Sequence, residues 1–258
     1  MRLYREYFFI LLRSAMQYKT SFFLTALGQF LTAFSGLIGI YFMFAQFKRV
    51  QGFTFRQILL CFAVVFISFS LAECFGRGFD AFRSTISNGQ FDRIMVRPQN
   101  EMFQVLASKM EFTRLGRLLE AVAVLAYAAP TSGVQWNITR ILVLLLMTAG
   151  GTALFFGLFI IYASFCFFTI EGLEFMNIFT DGGREFGRYP ISVYGKRALL
   201  FFTCVVPLAC VQYYPLLTLI GRSSRIQDML APLSGFAFLI VSRFFWKIGV
   251  RHYKSTGS

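Results

Sequence analysis

Residues 86–110 read ISNGQFDRIMVRPQNEMFQVLASKM and form the longest polar stretch in a chain whose other segments are mostly apolar. Of the 258 residues, 57% are hydrophobic and 14% are charged, and the mean hydropathy is +0.62. Soluble domains carry about a quarter charged residues, and several apolar runs here are long enough to cross a bilayer core of about 30 Å. The sequence therefore predicts an all-α membrane protein in which residues 86–110 interrupt the membrane-spanning segments.

Six apolar runs are predicted to be transmembrane helices, at about 21–47, 57–75, 115–130, 138–169, 198–220 and 230–250. Pro207 and Pro215 interrupt the fifth run, and proline kinks or breaks a helix, so we predict a broken fifth span with a half-inserted hairpin near residues 213–215. Gly150 and Gly151 in the fourth run would allow close approach of another helix. These runs place one six-span domain at residues 21–258.

Residues 1–20 mix basic residues with a short apolar core, which is typical of an amphipathic helix lying in the membrane interface. Most of the 25 Lys and Arg residues fall in the two termini and in the polar stretches 86–110 and 171–197. Since cytoplasmic loops are enriched in Lys and Arg, we predict that both termini and both polar stretches are cytoplasmic. Membrane lipid is then the expected surrounding, and the net charge of +13 requires no nucleic acid.

The chain has few groups that could perform catalysis. It contains one histidine, His252, and its five cysteines form no CxxC pair, so a catalytic triad or a multi-histidine metal site has little to build on. Residues 182–189, GGREFGRY, resemble a phosphate-binding loop only superficially, because Arg188 and Tyr189 stand where Lys and Ser or Thr are needed. We expect no catalytic residue, no metal and no cofactor in this chain.

Carboxylates within apolar segments are costly and are therefore candidates for a functional role. Glu73 and Glu120 lie near the ends of the second and third runs, and Glu171 and Glu174 follow the fourth. Each carboxylate either pairs with a nearby arginine or takes part in substrate passage or gating. Tyr213 and Tyr214, beside Pro215, are further candidates for the pathway or its gate.

The first half of the 86–110 stretch has the pattern of a short amphipathic helix. Gly89 permits a turn before it and Pro98 ends it, and a helix would place three apolar residues on one face with charges beside them: Phe91, Ile94 and Met95, with Asp92 and Arg93. Such a helix could insert an aromatic side chain into a groove of a soluble partner. It could equally rest on the lipid head groups, and the pattern alone leaves both interpretations open.

The order Ser87-x-Gly89-x-Phe91-Asp92-x-Ile94-Met95-x-x-Pro98, followed by Lys109, resembles the cytoplasmic segment between the second and third spans of ABC-2 type permeases. These are the membrane subunits of ATP-driven exporters. Two later runs, EFGRYPISVY at 185–194 and VPLACVQYYP at 206–215, are similar to the same bacterial branch of that superfamily. The resemblance covers most of the chain.

The resemblance implies a six-span permease domain of the ABC-2 exporter fold in a bacterial cytoplasmic membrane. It implies pairing with a second, related permease chain and with two copies of a cytoplasmic ATPase that binds ATP and Mg²⁺. The segment 86–110 would carry the coupling helix that docks on the ATPase, through Gly89, Phe91, Asp92, Arg93, Ile94, Met95 and Arg97. A stand-alone secondary transporter or channel is the alternative, for which more intramembrane carboxylates or repeated halves are expected.

Overall fold

A computed structural model describes residues 2–169 and 174–254, and Glu171 lies outside this part of the chain. Apart from one β-bridge between Val50 and Phe53, the regular structure of the described residues is helical. In chain order the helices are α1 Arg2–Ala15, α2 Lys19–Gln46, α3 Phe55–Asp80, α4 Phe82–Ser87, α5 Gln90–Met95, α6 Glu101–Ser108, α7 Leu115–Thr131, α8 Ile138–Phe165, α9 Glu174–Asn177, α10 Asp181–Phe186, α11 Lys196–Cys204, α12 Leu208–Leu219, α13 Ile226–Leu230 and α14 Leu233–His252.

The predicted all-α membrane class is confirmed. Four helical stretches in the described residues are long and apolar enough to cross a membrane, namely Lys19–Gln46, Phe55–Ser87, Ile138–Phe165 and Leu233–His252. A fifth is added if α11 and α12 count as one bent span. The predicted third span corresponds to α7, whose 17 residues extend over only about 25 Å at about 1.5 Å per residue.

The break in the fifth apolar run occurs at Pro207. The axes of α11 and α12 differ in direction by 111°, and Pro207 occupies the N-cap of α12. Pro215, by contrast, lies inside α12, which continues to Leu219. The predicted hairpin at residues 213–215 is therefore wrong, because a membrane helix can accommodate a proline whose freed backbone groups are satisfied by its surroundings.

Helix α3 is the centre of the fold. Every residue from Ile58 to Ser70 is buried, with α7 packed on one side and α8 on the other. Helix α8 in turn packs closely against α14, because a Cβ atom on Gly235 would overlap the carbonyl oxygen of Gly150. The predicted close approach at Gly150 is thereby confirmed.

Helix α1 lies along the residues that lead into α7. The rings of Phe8 and Phe112 meet edge to face with centroids 5.2 Å apart, and the ring of Tyr4 lies 6.1 Å from that of Phe103 in α6. Helix α1 is thus packed on the second half of the 86–110 stretch and on the residues that follow it. Its location in the membrane interface stays a prediction.

The second polar stretch lies elsewhere than predicted. The guanidinium of Arg184 stacks on the ring of Phe69 at 4.8 Å, and the carbonyl of Gly187 accepts a 3.6 Å hydrogen bond from the thiol of Cys61. Both contacts are in the middle of α3, whereas residues 86–110 follow its far end at Asp80. The predicted cytoplasmic location of both polar stretches is therefore wrong for residues 181–191, which pack between helices.

A buried glutamine explains how this polar backbone is accommodated between helices. The side chain of Gln212 is fully buried and its amide donates to the carbonyls of Gly187 at 2.9 Å and Tyr189 at 2.6 Å. Its carbonyl oxygen accepts from the backbone N–H of Ile191 at 3.3 Å. Because buried polar groups must be paired, these hydrogen bonds allow the backbone of residues 187–191 to be buried between helices.

Candidate functional site

The segment 86–110, which we call the coupling segment, extends from the end of α3. Gly89 adopts a left-handed conformation with φ +62°, which glycine accepts without steric cost, and α5 begins at the next residue. The predicted short helix is therefore present at Gln90–Met95, and it ends before Pro98.

The side chain of Phe91 points inward and is fully buried. Its ring lies 5.4 Å from that of Phe82, 5.0 Å from Phe167 and 6.3 Å from Trp246, centroid to centroid. This cluster joins α5 to α4, to the end of α8 and to α14. Phe91 therefore packs within the protein, which differs from the predicted direct contact with a partner.

Asp92 is joined to the residue that follows α14. A carboxylate oxygen of Asp92 accepts a 3.0 Å hydrogen bond from the hydroxyl of Tyr253. Burial, together with this hydrogen bond and the charge of Asp92, raises the pKa of Tyr253 to about 12. The hydroxyl therefore stays protonated, and the bond stays intact, throughout the neutral range.

Gln104, in α6, hydrogen-bonds to the backbone of α5 and to that of the residues between α5 and α6. Its amide nitrogen donates to the carbonyl of Ile94 at 3.0 Å and to that of Gln99 at 2.9 Å. Asn100 caps α6 by accepting a 3.1 Å hydrogen bond from the backbone N–H of Phe103. Sequence reasoning missed Gln104, Trp246 and Tyr253, and only the Asn100 cap has a local sequence signal.

The outward side of α5 is apolar in its centre and basic at its edges. Met95 and Val96 are 51% and 84% exposed, and the exposed arginines Arg93 and Arg97 flank them. Ile94 is half-buried against the core, so Met95 does not share the inward face as predicted. We call the exposed side chains of Arg93, Met95, Val96 and Arg97 the 93–97 surface.

Glu73 is buried within a network of arginines. Its two carboxylate oxygens accept from Nη1 of Arg117 at 2.9 Å and lie 3.0 Å from Nε of Arg114. Nη2 of Arg117 donates to the side-chain oxygen of Gln29 at 2.6 Å, which joins α2, α3 and α7. Of the two interpretations of Glu73, the structure favours the paired carboxylate.

Glu120 is equally buried but lacks such pairing. It is 3% exposed, and neither carboxylate oxygen has a hydrogen-bond partner within residues 2–169 and 174–254. It lines a cavity of about 490 Å³ between α2, α3 and α7. Two carboxylates that look alike in the sequence therefore have different environments.

The remaining candidates lie apart from Glu120. The ring of Tyr213 contacts that of Phe53 at 6.5 Å, and the hydroxyl of Tyr214 lies 3.2 Å from that of Thr203. Neither tyrosine lines the Glu120 cavity. The structure therefore does not bring the four predicted pathway residues into one site.

A comparison with protein families identifies the chain. The sequence model of a family described as "ABC-2 family transporter protein" matches residues 30–257, from within α2 to beyond α14. Comparisons with curated proteins and with solved structures give no match. Because the match covers nearly all of the helices that could span a membrane, the chain belongs to the ABC-2 family of transporter proteins.

Proposed function

We propose that this chain is the transmembrane permease subunit of an ATP-binding cassette exporter, forms half of the translocation pathway and is driven by a separate cytoplasmic ATPase. Membership of the family makes it a multi-pass membrane component of a transporter. The single observation that carries the coupling role is the 93–97 surface. It presents two exposed apolar side chains between two arginines beyond the end of α3.

The contacts beneath this surface suit the transmission of force. Phe91 anchors α5 to Phe82 and Trp246, Tyr253 holds Asp92, and Gln104 holds Ile94. Close-packed interiors transmit displacement because they have few voids. A partner that pushed on the 93–97 surface would thus move α3, α8 and α14 together.

The partner's groove should be apolar with an acidic rim. Met95 and Val96 supply apolar area to be buried, while Arg93 and Arg97 would pair with carboxylates at the edge, an arrangement that sets orientation and partner choice. The 93–97 surface is held in position by Phe91, Asp92 and Ile94. Gly89 supplies the turn that precedes α5.

The complete transporter would contain this chain, a second and related permease, and two ATPase copies that bind ATP and Mg²⁺. We place α7 as the third span and α11 with α12 as a broken fifth, which gives six spans in the cell membrane with both termini cytoplasmic. The excess of Lys and Arg in the coupling segment and the termini supports this orientation. No cofactor is assigned to this chain.

A secondary transporter or channel that works without an ATPase is the alternative. The observation in its favour is Glu120, a buried carboxylate without a hydrogen-bond partner in the described residues, since such groups often mark ion or proton paths. The two functions differ in whether an ATPase binds the chain. Failure of every co-expressed ATPase to associate would favour the alternative.

The test of the coupling role is the double variant Met95→Ser with Val96→Ser. Because both side chains are exposed, the variant should insert and unfold like the native protein, while its affinity for the ATPase falls at least tenfold and transport is lost. Ile226→Ser is the matched control, since Ile226 is 70% exposed and is the first residue of α13. It follows Arg222 closely in the chain, and the guanidinium of Arg222 lies over the ring of Phe53, just before the opposite end of α3. Unchanged ATPase affinity in the double variant would refute the docking assignment.

A further inference from the structure

The cavity beside Glu120 lies where α2 and α7 separate. The two helices touch at Gly116, since a Cβ atom there would overlap the carbonyl of Ala26. Beyond this crossing the two helices border a cavity of about 490 Å³, which Phe55 and Leu59 of α3 also line. The volume falls within the range of about 300–1,000 Å³ that small-molecule sites occupy.

The walls of the cavity are aromatic and open toward the outside of the helix bundle. Phe34, Tyr41 and Tyr127 line it and are 45%, 61% and 54% exposed. In a membrane-spanning chain these exposed apolar side chains face the hydrocarbon region, so a molecule dissolved in the bilayer could enter sideways.

Among the described residues that line this cavity, Glu120 is the only carboxylate. The two arginines whose charges act on it are Arg117 and Arg188, and both are engaged elsewhere. Arg117 binds Glu73 and Gln29, and Arg188 forms a 2.6 Å ion pair with Glu185. The carboxylate thus remains without a direct partner in the described part of the chain.

A buried carboxylate without a partner is costly, and a ligand that supplied positive charge would remove that cost. The faces of aromatic rings also attract cations, most strongly where water is excluded. We propose that the cavity between α2, α3 and α7 is a lipid-accessible binding site for lipophilic organic cations, with Glu120 as the counter-ion. This site does not depend on the proposed ATPase partnership, because it shares no residue with the 93–97 surface.

The test is binding of radiolabelled tetraphenylphosphonium to the full chain in lipid nanodiscs without any ATPase. We expect saturable binding of about one cation per chain, at least tenfold weaker in Glu120→Gln. Glu101→Gln, which removes a carboxylate on α6 outside the cavity, should bind like the native chain. Tetraphenylborate, which has the same shape and the opposite charge, should not compete.

A second variant separates the cavity from the charge. Val124→Trp keeps Glu120 but fills the cavity one helical turn away, so it should abolish binding. Leu119→Trp adds the same ring to α7 at a residue that is 68% exposed, and this variant should bind the cation normally. Thermal unfolding of each variant checks its fold, and if Glu120→Gln fails to fold, Val124→Trp decides.

Three results would overturn the proposal. The first is that the native chain shows no saturable binding of the cation. The second is that a folded Glu120→Gln or Val124→Trp variant binds the cation with native affinity. The third is that tetraphenylborate displaces the labelled cation as effectively as the unlabelled cation does. The first two would mean that the cavity is not a cation site, and the third that charge does not determine what it binds.

Discussion

The hydroxyl of Tyr253 donates a 3.0 Å hydrogen bond to the carboxylate of Asp92, although 161 positions separate the two residues in the chain. Tyr253 directly follows α14, and Asp92 lies in the first turn of α5. This bond and the aromatic cluster around Phe91 fasten the coupling segment to the last helix. The position of α5 therefore depends on the C-terminal end of the helix bundle.

Replacing Tyr253 by Phe should loosen this connection while leaving the ring contacts in place. A hydrogen bond to a charged group contributes about 1.5–3 kcal/mol when buried, and the partial exposure here lowers our expectation to about 1 kcal/mol. The variant should show a slightly lower midpoint of thermal unfolding and weaker ATPase stimulation. Tyr18→Phe, at a residue that is 72% exposed, is the control and should change neither.

The pH dependence of the same bond follows from the raised pKa of Tyr253, about 12 in the folded protein against about 10 for an unperturbed tyrosine. The folded state holds this proton more tightly, so the contribution is complete below about pH 10 and is lost as the pH rises toward 12. The difference in unfolding midpoint between native protein and Tyr253→Phe should therefore stay constant from about pH 7 to pH 9. A difference that disappeared within that range would contradict the assigned pKa.

Phe91→Ala should damage the fold itself. Because the ring is fully buried among other rings, its removal should cost about 3–5 kcal/mol of folding free energy. Val96→Ala, five positions later and 84% exposed, should remain within about 0.5 kcal/mol of the native protein. Unfolding midpoints in nanodiscs measure both, and equal effects would mean that the inward packing of Phe91 is wrong.

Glu73 and Glu120 should respond oppositely to conversion into glutamine. Glu73→Gln takes away the carboxylate that pairs with the buried guanidinium of Arg117 and one of the two that pair with Arg114, and breaking a buried pair typically costs about 3–5 kcal/mol. Glu120→Gln removes a buried carboxylate that has no hydrogen bond to lose, so stability should be unchanged or higher. A comparable loss in both variants would show that Glu120 also has a structural partner.

Gly235→Ala should push α14 away from α8. The added Cβ would overlap the backbone of Gly150, and we expect a loss of about 1–3 kcal/mol from the overpacked contact. Gly28→Ala is the matched control, because nothing lies within 4 Å of its Cβ position and alanine favours the helix by up to about 1 kcal/mol. If both variants unfold alike, α8 and α14 do not cross at these glycines.

Much of the fold could be predicted because hydropathy is a property of each local segment. The predicted spans at 21–47, 57–75, 115–130 and 230–250 differ from α2, α3, α7 and α14 by five residues or fewer at every end. The short helix at the start of the coupling segment was also predictable, since Gly89 and Pro98 limit it. The 93–97 surface was predicted only in part, because local periodicity cannot tell which face of a six-residue helix meets the core.

The sequence by itself determined the membrane class, the main apolar helices and the ABC-2 family, because composition, run length and motif order require no knowledge of distant contacts. Only the tertiary structure decided that Phe91 faces inward, that residues 181–191 pack against the middle of α3, and that Glu73 is paired while Glu120 is not. In each case the deciding partner is remote in the chain: Trp246 for Phe91, Gln212 for the 187–191 backbone, and Arg117 for Glu73. A buried polar or aromatic group is stabilised by whatever the fold brings to it, and that neighbour cannot be read from the local sequence.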